Sequence, residues 1–134
     1  MLSAELIRTR VRERLAEQRG VVARLLELRE QLRGSLFARY GVCGKASCAC
    51  RSGRKHGPYL VLSTRSGGAG DFAYLDAGQA REARALVTRY RQYRQGMRRL
   101  KRLNEDLVGL LKRYQTATTR RGTQKLGLSP MPRA

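Results

Sequence analysis

All three cysteines and the only histidine of this 134-residue chain fall between Cys43 and His56, inside the stretch GVCGKASCACRSGRKHGPY. Their spacing is C-x4-C-x-C-x5-H. Zinc is commonly held by four thiolate or imidazole ligands in a tetrahedron, and three Cys with one His is a standard structural set. Cys43, Cys48, Cys50 and His56 are therefore read as ligands of one structural Zn2+, with water or a residue of another chain as the alternative to His56. Gly44 leaves the backbone free to wrap after Cys43, and Gly53 and Gly57 free it again around His56. A closed set of four leaves no coordination position for a substrate, so the expectation is a clasp and not a catalyst. Lys45, Arg51, Arg54 and Lys55 share this stretch with no acidic residue. They offset the net negative charge of three thiolates around a divalent ion and favour deprotonated sulfur.

No other constellation offers catalysis. A single histidine committed to metal leaves no Ser-His or Cys-His pair. Glu13 with Glu17 and Glu27 with Glu30 sit at helical spacings beside arginines, the pattern of surface ion pairs. RSGGAG lacks the lysine of a phosphate-binding loop and reads as a turn. The chain is expected not to be an enzyme.

The net charge of +19 comes from 29 Lys and Arg against 10 Asp and Glu. It is uneven. Residues 1–33 carry eight basic and five acidic groups, residues 34–58 five and none, and residues 79–115 eleven and three. Such a field needs a polyanion, and nucleic acid is the commonest one. Three cysteines with no secretory signal argue against a disulfide scaffold. No run approaches the roughly 18 apolar residues of a membrane span. A cytoplasmic protein, associated with the nucleoid if it binds DNA, is expected.

The elements that must position the cysteine loop can be read from periodicity. Residues 4 to 33 read as a helix, with Ser3 as N-cap, Gly34 as stop and Gly20 as a weak point that marks a bend. Its apolar positions are Ile7, Val11, Leu15, Val22, Leu25, Leu26 and Leu32, with one gap at Gln18. SLFARY, YLVLST and DFAYLD read as a three-stranded antiparallel meander, with the cysteine loop between the first two strands. Asp76 and Gln79 resemble a capping box. A second helix follows, from Ala77 to Tyr114. Its residues Leu86, Tyr90, Tyr93, Met97, Leu100, Asn104, Leu107, Leu111 and Tyr114 form an a/d seam. Val87, Leu103, Val108 and Leu110 flank that seam. The fold class is thus α+β: a small zinc-stapled sheet between two long helices, the second a coiled-coil former. The expected divisions are 1–34 (helix), 35–76 (zinc-binding β domain), 77–115 (coiled coil) and 116–134 (flexible basic tail).

A homodimer through Tyr90, Tyr93, Met97, Leu100, Asn104, Leu107 and Leu111 is expected, because an a-position Asn is costly unless it meets a partner. The competing arrangement folds the second helix back on the first. Nucleic-acid contacts are assigned to Lys45, Arg51, Arg54, Lys55 and Arg65 in the loop and hairpin, and to Arg91, Arg98, Arg99, Arg102, Lys112 and Arg113 on the second helix. Tyr40, Tyr59, Phe72 and Tyr74 are read as the core of the small sheet ahead of platforms for bases.

CGKASCAC followed by KHGPYLVLS also resembles an uncharacterised bacterial and phage family often met near transposable elements. Cys43, Cys48, Cys50, His56, Gly57, Pro58 and Tyr59 stand where that pattern puts them, and the resemblance covers about residues 30 to 115. It implies a zinc site and a mobile-element context. The expected function is a duplex-DNA-binding accessory protein of a mobile element. The alternative is a coiled-coil adaptor that docks on a recombinase, a transposase or another acidic partner.

Overall fold

The computed structural model describes residues 2–66 and 69–128. Helix α1 (Ala4–Glu27) leads into strands β1 (Gly34–Gly41), β2 (His56–Ser66) and β3 (Ala69–Leu75), and helix α2 (Ala77–Lys125) follows. The chain divides into two units. One unites Met1–Glu27 with Gln95–Ala134, and the other is the segment Leu28–Arg94.

The first is an antiparallel helical hairpin. Ser3 caps α1, its Oγ accepting from the Leu6 amide at 3.2 Å. Ala4, Ile7 and Leu25 of α1 are buried, as are Leu103 and Leu107 of α2. Gly96 allows the closest approach. A Cβ there would lie 2.5 Å from Cδ2 of Leu25. Gln18 donates to the Asn104 side chain, so the two polar gaps in the apolar patterns answer each other across the hairpin. Ion pairs run along the edges: Arg14 bridges Glu17 and Asp106, Arg99 reaches Glu17, and Arg121 forks onto both carboxylate oxygens of Glu5. The Arg121 hydrogen bond holds the Glu5 carboxyl below its usual range.

The inward face of distal α2 differs from the expected seam. Leu107 is buried and Leu100 and Tyr114 are half-buried, but Gly96, Leu103 and Leu110 turn inward in place of Met97, Asn104 and Leu111. This face is the more apolar one, and it leaves the amide of Asn104 at the hairpin's edge. Met97 and Leu111 stand 48% and 51% exposed. On α1, Leu15, Val22 and Leu26 are likewise exposed. The helix runs unbroken through Gly20. Burial of Leu107 within the chain removes it from the surface open to a second copy. Leu103→Ala should therefore cost about 2–3 kcal/mol, and Leu111→Ala under about 1 kcal/mol, as read from denaturant midpoints.

Both helix ends depart from expectation. α1 stops at Glu27, not Arg33, because the next residues turn to α2: the Leu32 amide donates to the Leu86 carbonyl at 3.1 Å and Arg89 reaches Glu30. Gly34 opens β1 and does not close a helix. A Cβ there would lie 2.7 Å from the Ser63 carbonyl oxygen. At the other end, α2 continues through residues 116–125, which were expected to be a flexible arm. The hydroxyls of Thr116, Thr118 and Thr123 donate to carbonyls one turn back. A Schellman cap closes the helix: Gly127 has φ +65°, its amide donates to Gln124 O, and the Leu128 amide donates to Thr123 O. Residues 129–134 lie outside the described residues.

The second unit is the sheet with proximal α2. The strands form an antiparallel meander in the order β1-β2-β3, as the sequence leads one to expect. Gly67 and Gly68 of RSGGAG, read from the sequence as a turn, and the side chain of Arg65 lie outside the described residues. The Asp76–Gln79 capping box forms, with reciprocal bonds of 2.7 and 3.1 Å. Register decides the two faces, because directly opposed residues share one. Leu36, Leu62 and Ala73 are opposed, as are Ala38, Leu60 and Leu75. This leucine face is the apolar surface available to cover Ala80, Ala83 and Val87 of α2, all buried. Phe37, Val61 and Tyr74 occupy the other face, as do Arg39 with Tyr59 and Ser63 with Phe72.

Candidate metal centre

The cysteine loop is anchored at both ends by the sheet. Gly41, the last residue of β1, pairs with His56, the first of β2. This pairing brings the imidazole back to within reach of Cys43, two residues beyond the strand. Between them a short 3-10 turn, Ala49–Arg51, sets Cys48 at its entrance and Cys50 inside it. The Cys48 amide donates to Lys45 O and the Ser52 amide to Ala49 O, which folds the intervening chain tightly. Gly53 sits where a Cβ would lie 3.1 Å from the Ala49 carbonyl. Gly57 is the glycine the loop requires, with φ +131°, whereas Gly44 faces open space.

The four ligand atoms of Cys43, Cys48, Cys50 and His56 all lie within 4.8 Å of one another. The sulfurs of Cys43 and Cys50 are 3.6 Å apart, and Cys48 Sγ is 3.2 Å from His56 Nε2. A disulfide would need about 2.05 Å, so the three thiols are free. A tetrahedron with metal–sulfur bonds of about 2.3 Å has edges of about 3.8 Å, so the cage has the size that set of ligands needs. The donor set fits as well, since three sulfurs and one imidazole nitrogen suit a soft or borderline ion. These four side chains could hold a metal ion.

The local field prepares the sulfurs. The Cys48 thiol is pushed down to about 6, first by the backbone amide of Cys50 and then by hydrogen bonds from Cys50, His56 and Cys43. The Cys43 amide donates to Cys50 Sγ at 3.4 Å and favours its thiolate. Burial and the neighbouring sulfurs of Cys48 and Cys43 nevertheless push the Cys50 thiol up. The Cys48 thiol thus ionises more readily than the Cys50 thiol.

A family comparison matches residues 8–85. That stretch is more than half of the chain and takes in all four ligand positions. The chain belongs to the DUF6788 family, a domain of unknown function. The DUF6788 match begins within α1 and ends within α2, so it differs in extent from the 30–115 stretch expected from the motif. It contains the whole sheet and the metal loop, while distal α2 lies beyond it. No curated protein and no solved structure matches the chain.

The described basic candidates are exposed and are divided between the two units. Lys45, Arg51, Arg54, Lys55 and Arg91 belong to the sheet unit, and Arg98, Arg99, Arg102, Lys112 and Arg113 to the hairpin. Arg99 is paired with Glu17, and with Arg102 it lines a hollow shared with Glu105 and Asp106. Carboxylates therefore interrupt that part of the basic helix face. Tyr90 and Tyr93, assigned to the dimer seam, are half-buried in the sheet unit, and the Arg94 guanidinium lies 6.0 Å from the Tyr90 ring centroid.

The sheet's aromatics overturn the expectation that they form its core. Tyr59, Phe72 and Tyr74 are 46%, 67% and 61% exposed, and Tyr40, beside the bulge at Arg39/Gly41, is 58% exposed. The buried strand side chains are instead Leu62 on the leucine face and Val61 between the aromatic positions. Two residues of the outer face, Phe37 and Arg39, were not singled out from the sequence. The strict alternation of SLFARY was the available signal, because it puts both on the side that β2 shares with Tyr59.

Proposed function

We propose that this DUF6788 protein is a non-catalytic nucleic-acid-binding module whose sheet unit carries the contacts. A zinc ion held by Cys43, Cys48, Cys50 and His56 supplies structural cross-linking there, with no open position for a reaction. The observation that carries the reading is the charge of the segment from Gly34 to Leu75. It holds Arg39, Lys45, Arg51, Arg54, Lys55 and Arg65 against one acid, Asp71. By alternation Asp71 lies on the leucine face, opposite Thr64. The outer face and the metal loop are therefore free of carboxylates. The motif's resemblance to proteins met near transposable elements supports an accessory role in mobile-element DNA transactions.

A titration of duplex DNA across a salt series tests the reading. Log K should fall linearly with log salt, by about 0.9 for each neutralised phosphate. No binding of duplex or single-stranded DNA at low salt, or a slope near zero, overturns it. Lys45, Arg51, Arg54 and Lys55 changed together to Gln should flatten the slope more than the same change at Arg98, Arg99 and Arg102, where carboxylates already share the surface.

A second reading, an adaptor that docks on an acidic protein, is favoured by the apolar side chains left exposed on the hairpin: Leu15, Val22 and Leu26 with Met97, Val108 and Leu111. It calls for a stoichiometric protein complex that survives moderate salt and is lost when Met97 and Leu111 become Glu.

A further inference from the structure

We infer that the outer face of the sheet is a platform for unpaired bases, so that the preferred ligand is single-stranded nucleic acid. The inference rests on the nucleic-acid reading above and narrows it.

Four rings stand on this face in two pairs. Phe37 and Phe72 have centroids 6.3 Å apart and planes 86° apart, and Tyr59 and Tyr74 repeat the arrangement at 6.3 Å and 87°. With planes nearly perpendicular, only one ring of each pair can lie flat against the outer surface. The face thus offers at most one flat-lying ring from each pair, and all four rings are partly exposed to a ligand. Val61, opposed to both Phe37 and Tyr74 in the central strand, is 1% exposed. The rings are thereby seated on a filled floor, although they remain 41–67% exposed themselves.

Exposed aromatics of this size on a water-facing sheet are costly unless they have a partner. The charge around them says which partner. Arg39 lies on the same face and donates through Nη1 to the Tyr74 hydroxyl at 2.9 Å, which fixes a guanidinium beside the ring. Ser35 and Ser63 share the face, and no carboxylate does. β1 then runs directly into the loop that bears Lys45, Arg51, Arg54 and Lys55. Aromatic faces for bases beside cations for the backbone are what a single strand needs. A duplex keeps its bases stacked inside and cannot use the rings. An acidic peptide would use the cations but leaves the ring faces without flat partners.

The test uses the full chain loaded with zinc. An oligothymidylate of about ten nucleotides and a mixed-sequence duplex are titrated in parallel by anisotropy. The single strand should bind more tightly. The double variant Phe72→Leu, Tyr74→Leu keeps an apolar cover over Val61 and should weaken single-strand binding by roughly 10- to 100-fold, while duplex binding and its salt slope stay near the parent's. Zinc content and amide-region circular dichroism of the variant confirm that the sheet is retained. The chain has no Trp, so Phe72→Trp supplies a single reporter. Its emission should be quenched by the oligothymidylate and not by the duplex. Parent-like single-strand binding in the double variant, or equal quenching by both ligands, overturns the platform while leaving nucleic-acid binding intact. Absence of binding to either ligand at low salt overturns both.

Discussion

Treating the zinc-loaded protein with a chelator should abolish amide protection from Cys43 to Leu75 while leaving helical circular dichroism almost unchanged. The reason is the small number of side chains that the sheet unit buries. Among the described residues it buries only Cys50, Val61 and Leu62 with Ala80, Ala83 and Val87 of α2, and the aromatic rings on the outer face with Val61 remain largely exposed. A three-stranded sheet with so little apolar burial is marginal without a staple. Metal bound in such sites contributes about 10–16 kcal/mol, comparable with the entire stability of a small domain. The hairpin does not share this dependence, because α1 meets distal α2 in the other unit and needs no ligand. Cys50→Ser should reproduce the chelator's effect, since it removes the buried sulfur that also accepts the Cys43 amide. Zinc per chain is read by mass spectrometry under native conditions, and protection by hydrogen exchange. A metal-free chain with an unchanged protected sheet would defeat the claim.

Gly57→Ala should be the most damaging single substitution outside the ligands, at about 3 kcal/mol or more. Two independent causes act at this position. Its φ of +131° lies well beyond the left-handed region near +57° that a few L residues tolerate. A Cβ would also lie 2.7 Å from the Arg39 carbonyl oxygen and 3.3 Å from the Tyr40 Cα. Both of these are backbone atoms of the paired strand, so a rotamer change cannot relieve the contact. The strain falls beside His56, and relaxing it moves the imidazole away from the three sulfurs. The expected signature is therefore double: a lower denaturation midpoint and weaker zinc retention in competition with a chromophoric chelator. Gly44→Ala, facing open space, should change neither. Equal behaviour of the two variants would refute the role assigned to Gly57.

Local signals in this sequence are faithful. The Asp76–Gln79 capping box, the Ser3 cap, the three strands and the convergence of Cys43, Cys48, Cys50 and His56 all depend on neighbours a few residues away. Choices that depend on a distant partner are not so determined. Leu100 and Leu107 belong equally to a seam with Met97, Asn104 and Leu111 and to one with Gly96, Leu103 and Leu110. Only α1, with Leu25 seated against Gly96 and Gln18 reaching Asn104, selects the second. The meander is similarly ambiguous, having leucines on one face and aromatics on the other. Aromatic residues are ordinarily the stronger core candidates, but here the rings stay exposed and the buried strand side chains are Val61 and Leu62. The extended end of α2 was hidden by TATTRR, a poor helix former by composition. Its threonine hydroxyls and the Gly127 cap support it, and Gly127 was a readable stop signal.

The two units differ in how the chain reaches them. The sheet unit, Leu28–Arg94, is one uninterrupted segment, whereas the hairpin is assembled from stretches on either side of it. During synthesis, at roughly 5–20 residues per second, the metal loop and all three strands are made before any of distal α2. Metal capture can be complete while Ile7 and Leu25 of α1 still wait for Leu103 and Leu107. The clasp is thus the first part of the molecule able to reach its final form, and the hairpin closes last, around a partner stretch that arrives only after the sheet.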